Sequence, residues 1–364
     1  MKIRWYFLFI LIVACSKPAK ESPPSISVII GKPMVQDTPI YNEYIGHIEA
    51  FVKVEVKSQV EGVLTGAYFT QGQSVKKGDR IFTIDSRPYE AQLAKAEALL
   101  SENIANLRYA EDTAKRYAKL VQEEYVAQLQ YDQYITNVLT SKASIKQSQA
   151  DIQTAKINID YCNITAPMDA VAGVLQVDVG NLIQNAQETP LVVLNQITPI
   201  YVYFSVPQQD LPKIQLLQRQ APLEIQAFLN EDFTHPYIGK LDLINNQIDE
   251  KTGTVLLRGI FLNEDQLLWP GEFVDVRLIL ETKKEAILVP TESVQIGQQG
   301  YYAFVIDQNQ TAQLRQIKIA QRMGNQILIE SGISKEDNIV IEGQINLYSG
   351  AKVLTRAVKN HESL

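Results

Sequence analysis

At 364 residues, with 46% hydrophobic and 8% aromatic content, the chain is long enough for two or more small domains with real cores, which excludes a disordered polymer. Its formal charge of −7 falls to about −9 once a leader carrying Lys2 and Arg4 is removed, and that balance argues against nucleic acid, which demands a basic face. His47, His235 and His361 lie far apart, and the two Cys and four Met are scattered, so neither a metal nor a cofactor is announced.

The chain opens with MKIRWYFLFILIVAC, two basic residues before an apolar run too short to span a bilayer but suited to a secretory leader. Its end, Ile12-Val13-Ala14-Cys15, resembles a lipobox, which implies cleavage before Cys15 and lipidation of that cysteine. SKPAKESPPS then reads as a polar tether. With Cys15 lipidated, Cys162 is left as a lone thiol and no intramolecular disulfide can form.

Residues 60–85, VEGVLTGAYFTQGQSVKKGDRIFTID, contain short apolar runs, glycine turns and a closing strand. The pattern recurs about 110 residues downstream: Val60-Glu61-Gly62-Val63-Leu64 is matched by Val171-Ala172-Gly173-Val174-Leu175, Gly72 by Gly180, and IFTID by LVVLN. Two similar halves closing one small domain resemble a lipoyl or biotinyl domain split in two. The turn that would carry a modified lysine is here Ser86-Arg87-Pro88, and Lys76 and Lys77 sit in an earlier bend, so no swinging arm is expected.

Between the halves, no Pro or Gly interrupts the chain from Pro88 to Pro167. Leu93, Leu100, Leu107, Ala114 and Val121 recur every seven residues, as do Val138, Ile145, Ile152 and Ile159. Small companions, Ala96 and Ala110 against Ser141, Ser148 and Ala155, allow close approach. This predicts an antiparallel coiled-coil hairpin, its turn near residues 122–128, each arm rising roughly 50 Å. Tyr109, Tyr117, Tyr125, Tyr131 and Tyr134 gather toward the turn and would make an amphipathic tip.

After the second half, ITPIYVYFSVP alternates as a strand, and Leu211, Ile214 and Leu217 have helical spacing. LEIQAFL, YIGKLDLINNQID, TGTVLLRGIFLN and FVDVRLILE follow as short strands, predicting a small β-barrel with one covering helix. From residue 286 on, ILVPTESVQIG, YYAFVID, QLRQIKIA, QILIESG, NIVIEGQI and AKVLTRAV read as further strands. Catalysis finds no support: there is no phosphate loop, no nucleophile motif and no paired histidine.

The order of lipobox, half lipoyl domain, helical hairpin, second half and β-rich tail resembles the periplasmic adaptors, or membrane fusion proteins, of resistance-nodulation-division (RND) multidrug efflux pumps. TGTVLLRGIFLNEDQLLWPGEFV resembles their barrel signature, and Arg116 and Leu120 match the first two positions of the Arg-Leu-Ser pattern with which such adaptors engage the outer-membrane duct; the third position is Ala127. The resemblance implies a mainly β, elongated multidomain adaptor. It would comprise a signal peptide (1–14), a lipid-anchored linker (15–30), a membrane-proximal β domain (31–52 with 282–364), a split lipoyl-like domain (53–87 with 162–197), the coiled-coil hairpin (88–161) and a β-barrel (198–281). It further implies a non-enzymatic link between an inner-membrane transporter and an outer-membrane duct, six copies in a ring, and a periplasmic location with the lipid in the inner membrane. The alternative within the class is service to an ATP-driven (ABC-type) exporter or secretion system. A copper or silver pump adaptor would be expected to cluster methionines, and Met34, Met168 and Met323 do not cluster.

Overall fold

A computed structural model describes residues 25–185, 189–229 and 232–357 of the chain. Cys15 lies outside the described residues. The chain divides into two compact units, Asn42–Leu278 and a second made of Met1–Tyr41 with Ile279–Leu364. Most of the described elements are strands, beginning with β1 (Ile26–Gly31) and the long β2 (Met34–Val56).

In the Asn42–Leu278 unit the two sequence halves pair strand for strand. The first half supplies β3 (Gly62–Ala67), β4 (Ser74–Val75) and β5 (Arg80–Ile84), and after two long helices the second supplies β6 (Asn163–Thr165), β7 (Ala170–Ala172), β8 (Leu182–Ile183) and the start of β9 (Val192–Pro207). β3 pairs antiparallel with β8, β4 with β7 and β5 with β6. Neither half could bury its own apolar face, so each serves as the other's second layer. Leu64, Ile81 and Phe82 from one half share a core with Ala172, Ile183 and Leu194 from the other. The repeat extends to backbone detail, because the Gly72 N–H donates to Ala172 O and the Gly180 N–H to Leu64 O, both at 2.8 Å. Both glycines have positive φ, at 79° and 98°, a conformation that other residues adopt only with strain. Cys162, the free cysteine among the described residues, is buried, and burial pushes its thiol above the ordinary value.

The rest of this unit alternates strictly. In β9, Ile200, Val202, Phe204 and Val206 are buried while Tyr201, Tyr203 and Ser205 alternate with them on the other face. After α3 (Leu211–Gln218) come β10 (Glu224–Phe228), β11 (Tyr237–Asp249), β12 (Thr254–Phe261) and β13 (Phe273–Pro290). The hydrogen-bonded order β13-β10-β11-β12-β9-β2 returns to β13, since β2 also pairs with it, so the strands close on themselves. Closure brings β2 so near β13 that a Cβ on Gly46 would lie 2.8 Å from Val276 Cγ2. Ile214 of α3 is buried.

In the other unit β13 continues and pairs with β18 (Gln326–Ser331), which pairs with β17 (Lys318–Met323). A second sheet takes β14 (Gln295–Gly297), β15 (Gly300–Ile306), β16 (Ala312–Gln316), β19 (Asn338–Glu342) and β20 (Val353–Ala357). Here β1 sits between β19, antiparallel, and β20, parallel. Val28, Phe304, Ile306 and Val340 form the core beneath it.

Candidate functional site

The two long helices are α1 (Arg87–Gln122) and α2 (Gln128–Tyr161). Helix α1 starts where a serine, a proline in the first turn and an early acid coincide: Ser86 precedes it, Pro88 fits without a backbone N–H, and Ser86 Oγ donates to Glu90 Oε1 at 2.6 Å. Asp85 clamps Arg87 at the entry, and the guanidinium holds that carboxyl below its ordinary range.

Every residue of the sevenfold rows is at least half-buried, and Ala114, Val138, Ser148 and Ala155 are fully buried. Three contacts give the register. Asn103 Nδ2 donates to Ser148 Oγ at 2.8 Å, Lys142 pairs with Glu111 at 3.1 Å, and the Tyr117 and Tyr134 rings lie 4.3 Å apart. From Asn103 to Tyr117 the chain advances by as much as it retreats from Ser148 to Tyr134, so the helices are antiparallel. That register sets Leu100 level with Ile152 and Leu107 level with Ile145. Large apolar layers alternate with small ones, which lets the two backbones approach.

The far end is built from two unusual caps. Glu124 has φ 56°, the left-handed conformation usually given to glycine just past a helix. The Tyr125 N–H reaches back to Leu120 O and the Glu124 N–H to Val121 O, each at 3.0 Å, closing the last turn of α1. Helix α2 begins at Ala127, extended at φ −73° and ψ 141°, with no side-chain cap. Backbone geometry there suits a capping hydroxyl that alanine does not have.

Just before this end, α1 and α2 line an open groove of about 640 Å³ whose walls include Tyr109, Thr113, Arg116, Tyr117, Leu120 and Tyr134. Arg116 and Leu120, one turn apart, are thus brought together on one surface, whereas Ala127 does not line the groove. Arg116 donates to Thr113 Oγ1 at 3.3 Å and is otherwise turned to solvent. Leu120 is exposed. The clustered tyrosines divide by role. Tyr117 and Tyr134 pack the seam, and their mutual hydrogen bond pushes the Tyr117 phenol above its ordinary value. Tyr109 and Tyr125, over 70% exposed, are free to contact a partner. A groove lined by one leucine, one cation, several phenols and small polar side chains can accept another helix and hydrogen-bond its carbonyls or carboxylates.

Sequence reasoning did not single out Glu124, Thr113 or Asn137, all of which shape this end. A glutamate in a polar turn carries no signal of positive φ, and only the Schellman pattern of the closed helix reveals it. Among the described residues no group of His, Cys, Asp and Glu could hold a metal, and no helix is long and apolar enough to cross a membrane.

Three family models match the chain: "RND MFP, barrel-sandwich hybrid domain" over residues 52–195, "RND MFPs, beta-barrel domain" over 199–282, and "RND MFPs, C-terminal permuted SH3 domain" over 285–345. The chain is 34% identical over 339 residues to the Multidrug resistance protein MdtA of Proteus mirabilis (strain HI4320), covering 93% of this chain and 82% of that protein. It is also 34% identical over 345 residues to MdtA of Yersinia pseudotuberculosis serotype O:3 (strain YPIII), covering 93% and 77%. In fold it is similar to a MacA–MexA chimeric protein containing the Pseudomonas aeruginosa MexA α-hairpin domain, with a TM-score of 0.54, 23% identity, and 84% of this chain and 97% of that one covered. MacA from Actinobacillus actinomycetemcomitans gives a TM-score of 0.52 at 22% identity, over 86% and 99%.

Proposed function

The chain belongs to the RND membrane fusion protein family, and from that premise we propose that it is the periplasmic adaptor of a tripartite RND pump, joining an inner-membrane transporter to an outer-membrane duct for export of drugs or other small molecules. The work is mechanical. Helices α1 and α2 form a coiled-coil hairpin whose tip meets the duct, while the β domains, arranged as the split lipoyl-like (53–87 with 162–197), barrel (198–281) and membrane-proximal (31–52 with 282–364) modules, serve the transporter. Copies assemble as a ring of six, and heterologous contacts of that kind close only when the same two patches meet at every step. Cys15, lipidated after removal of residues 1–14, tethers each copy to the inner membrane through the residues that precede β1; the expected linker of residues 15–30 is shortened, because Ile26–Gly31 is strand in the second sheet.

The observation that carries the docking role is the groove shared by Arg116 and Leu120. Leu120 supplies an apolar anchor between duct helices, and Arg116 supplies a directional cation for their carbonyls or carboxylates. Ala127, at the third position of the family's tip pattern, contributes through the start of α2 and not through a hydroxyl.

The test is the pair Arg116→Asp and Leu120→Ser, both at exposed positions, with thermal unfolding of the β domains measured alongside as the folding control. In cells without another adaptor, the double variant should lose efflux and crosslinking to the duct while transporter association persists. Normal efflux by that variant would place the contact elsewhere. Mass measurement of the processed N-terminus tests Cys15 separately.

A further inference from the structure

One loop, residues 343–351, presents apolar side chains outward from a backbone braced at several points. Ile345 is 96% exposed and Tyr348 58%, whereas Leu347 between them turns inward against the core of Val28, Phe304 and Val340. The loop is not slack. Gly343 has φ 92° and approaches β1 so closely that a Cβ there would lie 2.7 Å from Ser27 O. Gln344 Nε2 donates to Glu292 O at 2.7 Å, the Leu347 N–H to Gln344 O at 3.0 Å, the Ala351 N–H to Tyr348 O at 3.1 Å and the Gly350 N–H to Ala312 O at 2.8 Å. A turn with this bracing needs only small or polar residues at its crest. An isoleucine held there in water contributes nothing to the fold.

Its place along the chain says what it meets. The loop wraps the beginning of β1: Gly343 abuts Ser27, and the Ile26 N–H donates to Lys352 O at 3.1 Å. Cys15 precedes Ile26 by eleven residues. A stretch of that length reaches at most roughly 38 Å even when fully extended. A bilayer holding a lipid on Cys15 therefore lies within reach of the same end of this unit. Around the loop, exposed Lys352 and Arg356 are offset by exposed Glu292 and Glu342, so partition of apolar and amphipathic side chains, not net charge, is the available force. Isoleucine with a neighbouring tyrosine and a lysine is the composition that settles at the boundary between headgroups and acyl chains.

We propose that residues 343–351 form a membrane-contacting loop, with Ile345 and Tyr348 entering the interfacial layer of a lipid bilayer and Lys352 reaching its phosphates. The lipid on Cys15 brings the unit to the surface, and the loop fixes its orientation there. This rests on lipidation of Cys15, which mass measurement reads independently.

The test uses the full lipidated chain on vesicles of phosphatidylethanolamine and phosphatidylglycerol, labelled at Ile345→Cys with an environment-sensitive fluorophore; buried Cys162 is shielded from the label. Leu262→Cys, an exposed apolar position in the other unit, is the control. Emission from position 345 should rise roughly twofold and be quenched by brominated lipid, while position 262 stays unchanged. A second variant keeps the answer independent of that label: a fluorophore at Tyr348→Cys should lose its quenching when Ile345→Asp is added. If the mass confirms the acylated Cys15 and both labels remain in water, the loop proposal is overturned while the anchor stands. Protection that appears only on adding the transporter overturns it equally, in favour of a protein partner. An unacylated Cys15 removes the tether and overturns both readings.

Discussion

Asn103 Nδ2 donates a 2.8 Å hydrogen bond to Ser148 Oγ across the helix pair, and Ser148 in turn donates to Ser144 O one turn earlier at 3.2 Å. Ser148 is 1% exposed, so this is a polar contact at the floor of the seam. Any shift by one heptad would separate Asn103 from its serine, which makes the pair a register pin as well as a bond. Ser148→Ala should cost about 1 kcal/mol, the ordinary net worth of one hydrogen bond. Asn103→Ala should cost the same, and the double variant should cost less than the two added together. Thermal loss of helical signal, compared across the four proteins, measures the coupling.

Ile152 is the harsher test of the same register. It lies level with Leu100, and Ile152→Asp puts a carboxylate into that layer with no cation opposite. Loss of several kcal/mol, roughly what an unpaired buried charge costs, should fall on the helices alone. Limited proteolysis should then cut between residues 90 and 160 while the β structure resists. Unchanged protection of the helices would mean that Ile152 faces solvent.

The helix pair and the split domain were legible in sequence because both rest on repetition. Sevenfold spacing survives any loop geometry, and the matched glycines Gly72 and Gly180 mark equivalent turns donating to opposite halves. Arg116 and Leu120 could be placed together because residues four apart always share a helix face. What could not be read were features decided by the backbone. Glu124 adopts its left-handed conformation because the chain must reverse there, and no glycine announces it. The crest of 343–351 read only as the end of a strand, NIVIEGQI, because Ile345 looks like any other apolar residue until its exposure is seen.

The end of the helix pair should be improvable from both sides. Glu124→Gly removes the strain of positive φ and a negative charge from the C-terminus of α1, for a gain of about 1 kcal/mol. Ala127→Ser supplies a hydroxyl cap to α2, again for about 1 kcal/mol. Both gains should appear as slower amide exchange across residues 120–130. If stiffening this turn also weakens docking while the Arg116 and Leu120 groove is intact, softness at the tip is itself used in binding.

Alkaline pH should weaken the Asn42–Leu278 unit through Tyr44. Burial, reinforced by the charge of Asp210, pushes the Tyr44 phenol from its ordinary 10 up to about 12, even though a hydrogen bond from Asn42 works the other way. The folded state therefore keeps a proton that the unfolded chain releases. The resulting stability is fully present below pH 10 and is lost as pH rises from 10 through about 12. Denaturation midpoints across that range should fall more steeply for the native protein than for Tyr44→Phe, which retains the stacking on Phe204.

Asn263 should prove the most sensitive polar residue in the same unit. It is 6% exposed and has φ 52°, a conformation asparagine tolerates better than most side chains. Its amide donates to Ile197 O at 2.8 Å and Leu268 O at 3.0 Å, and its oxygen accepts the Leu268 N–H at 3.0 Å, so one side chain ties the interior of the long β9 to the turn after β12. Asn263→Leu fits the space but strands two carbonyls and one N–H and adds backbone strain, so a loss of about 3 kcal/mol or more is expected. Asn263→Gly keeps the backbone conformation and opens room for water, and should cost less than the leucine. Asn263→Asp discriminates most finely. It still accepts the Leu268 N–H, but when ionised it turns an oxygen toward two carbonyls in place of donating to them. Its folded form should hold a proton well above the usual carboxylate range, so this variant should be nearly native in mild acid and progressively destabilised as pH rises toward neutrality. A loss independent of pH would show that donation by the Asn263 amide is not what holds the turn.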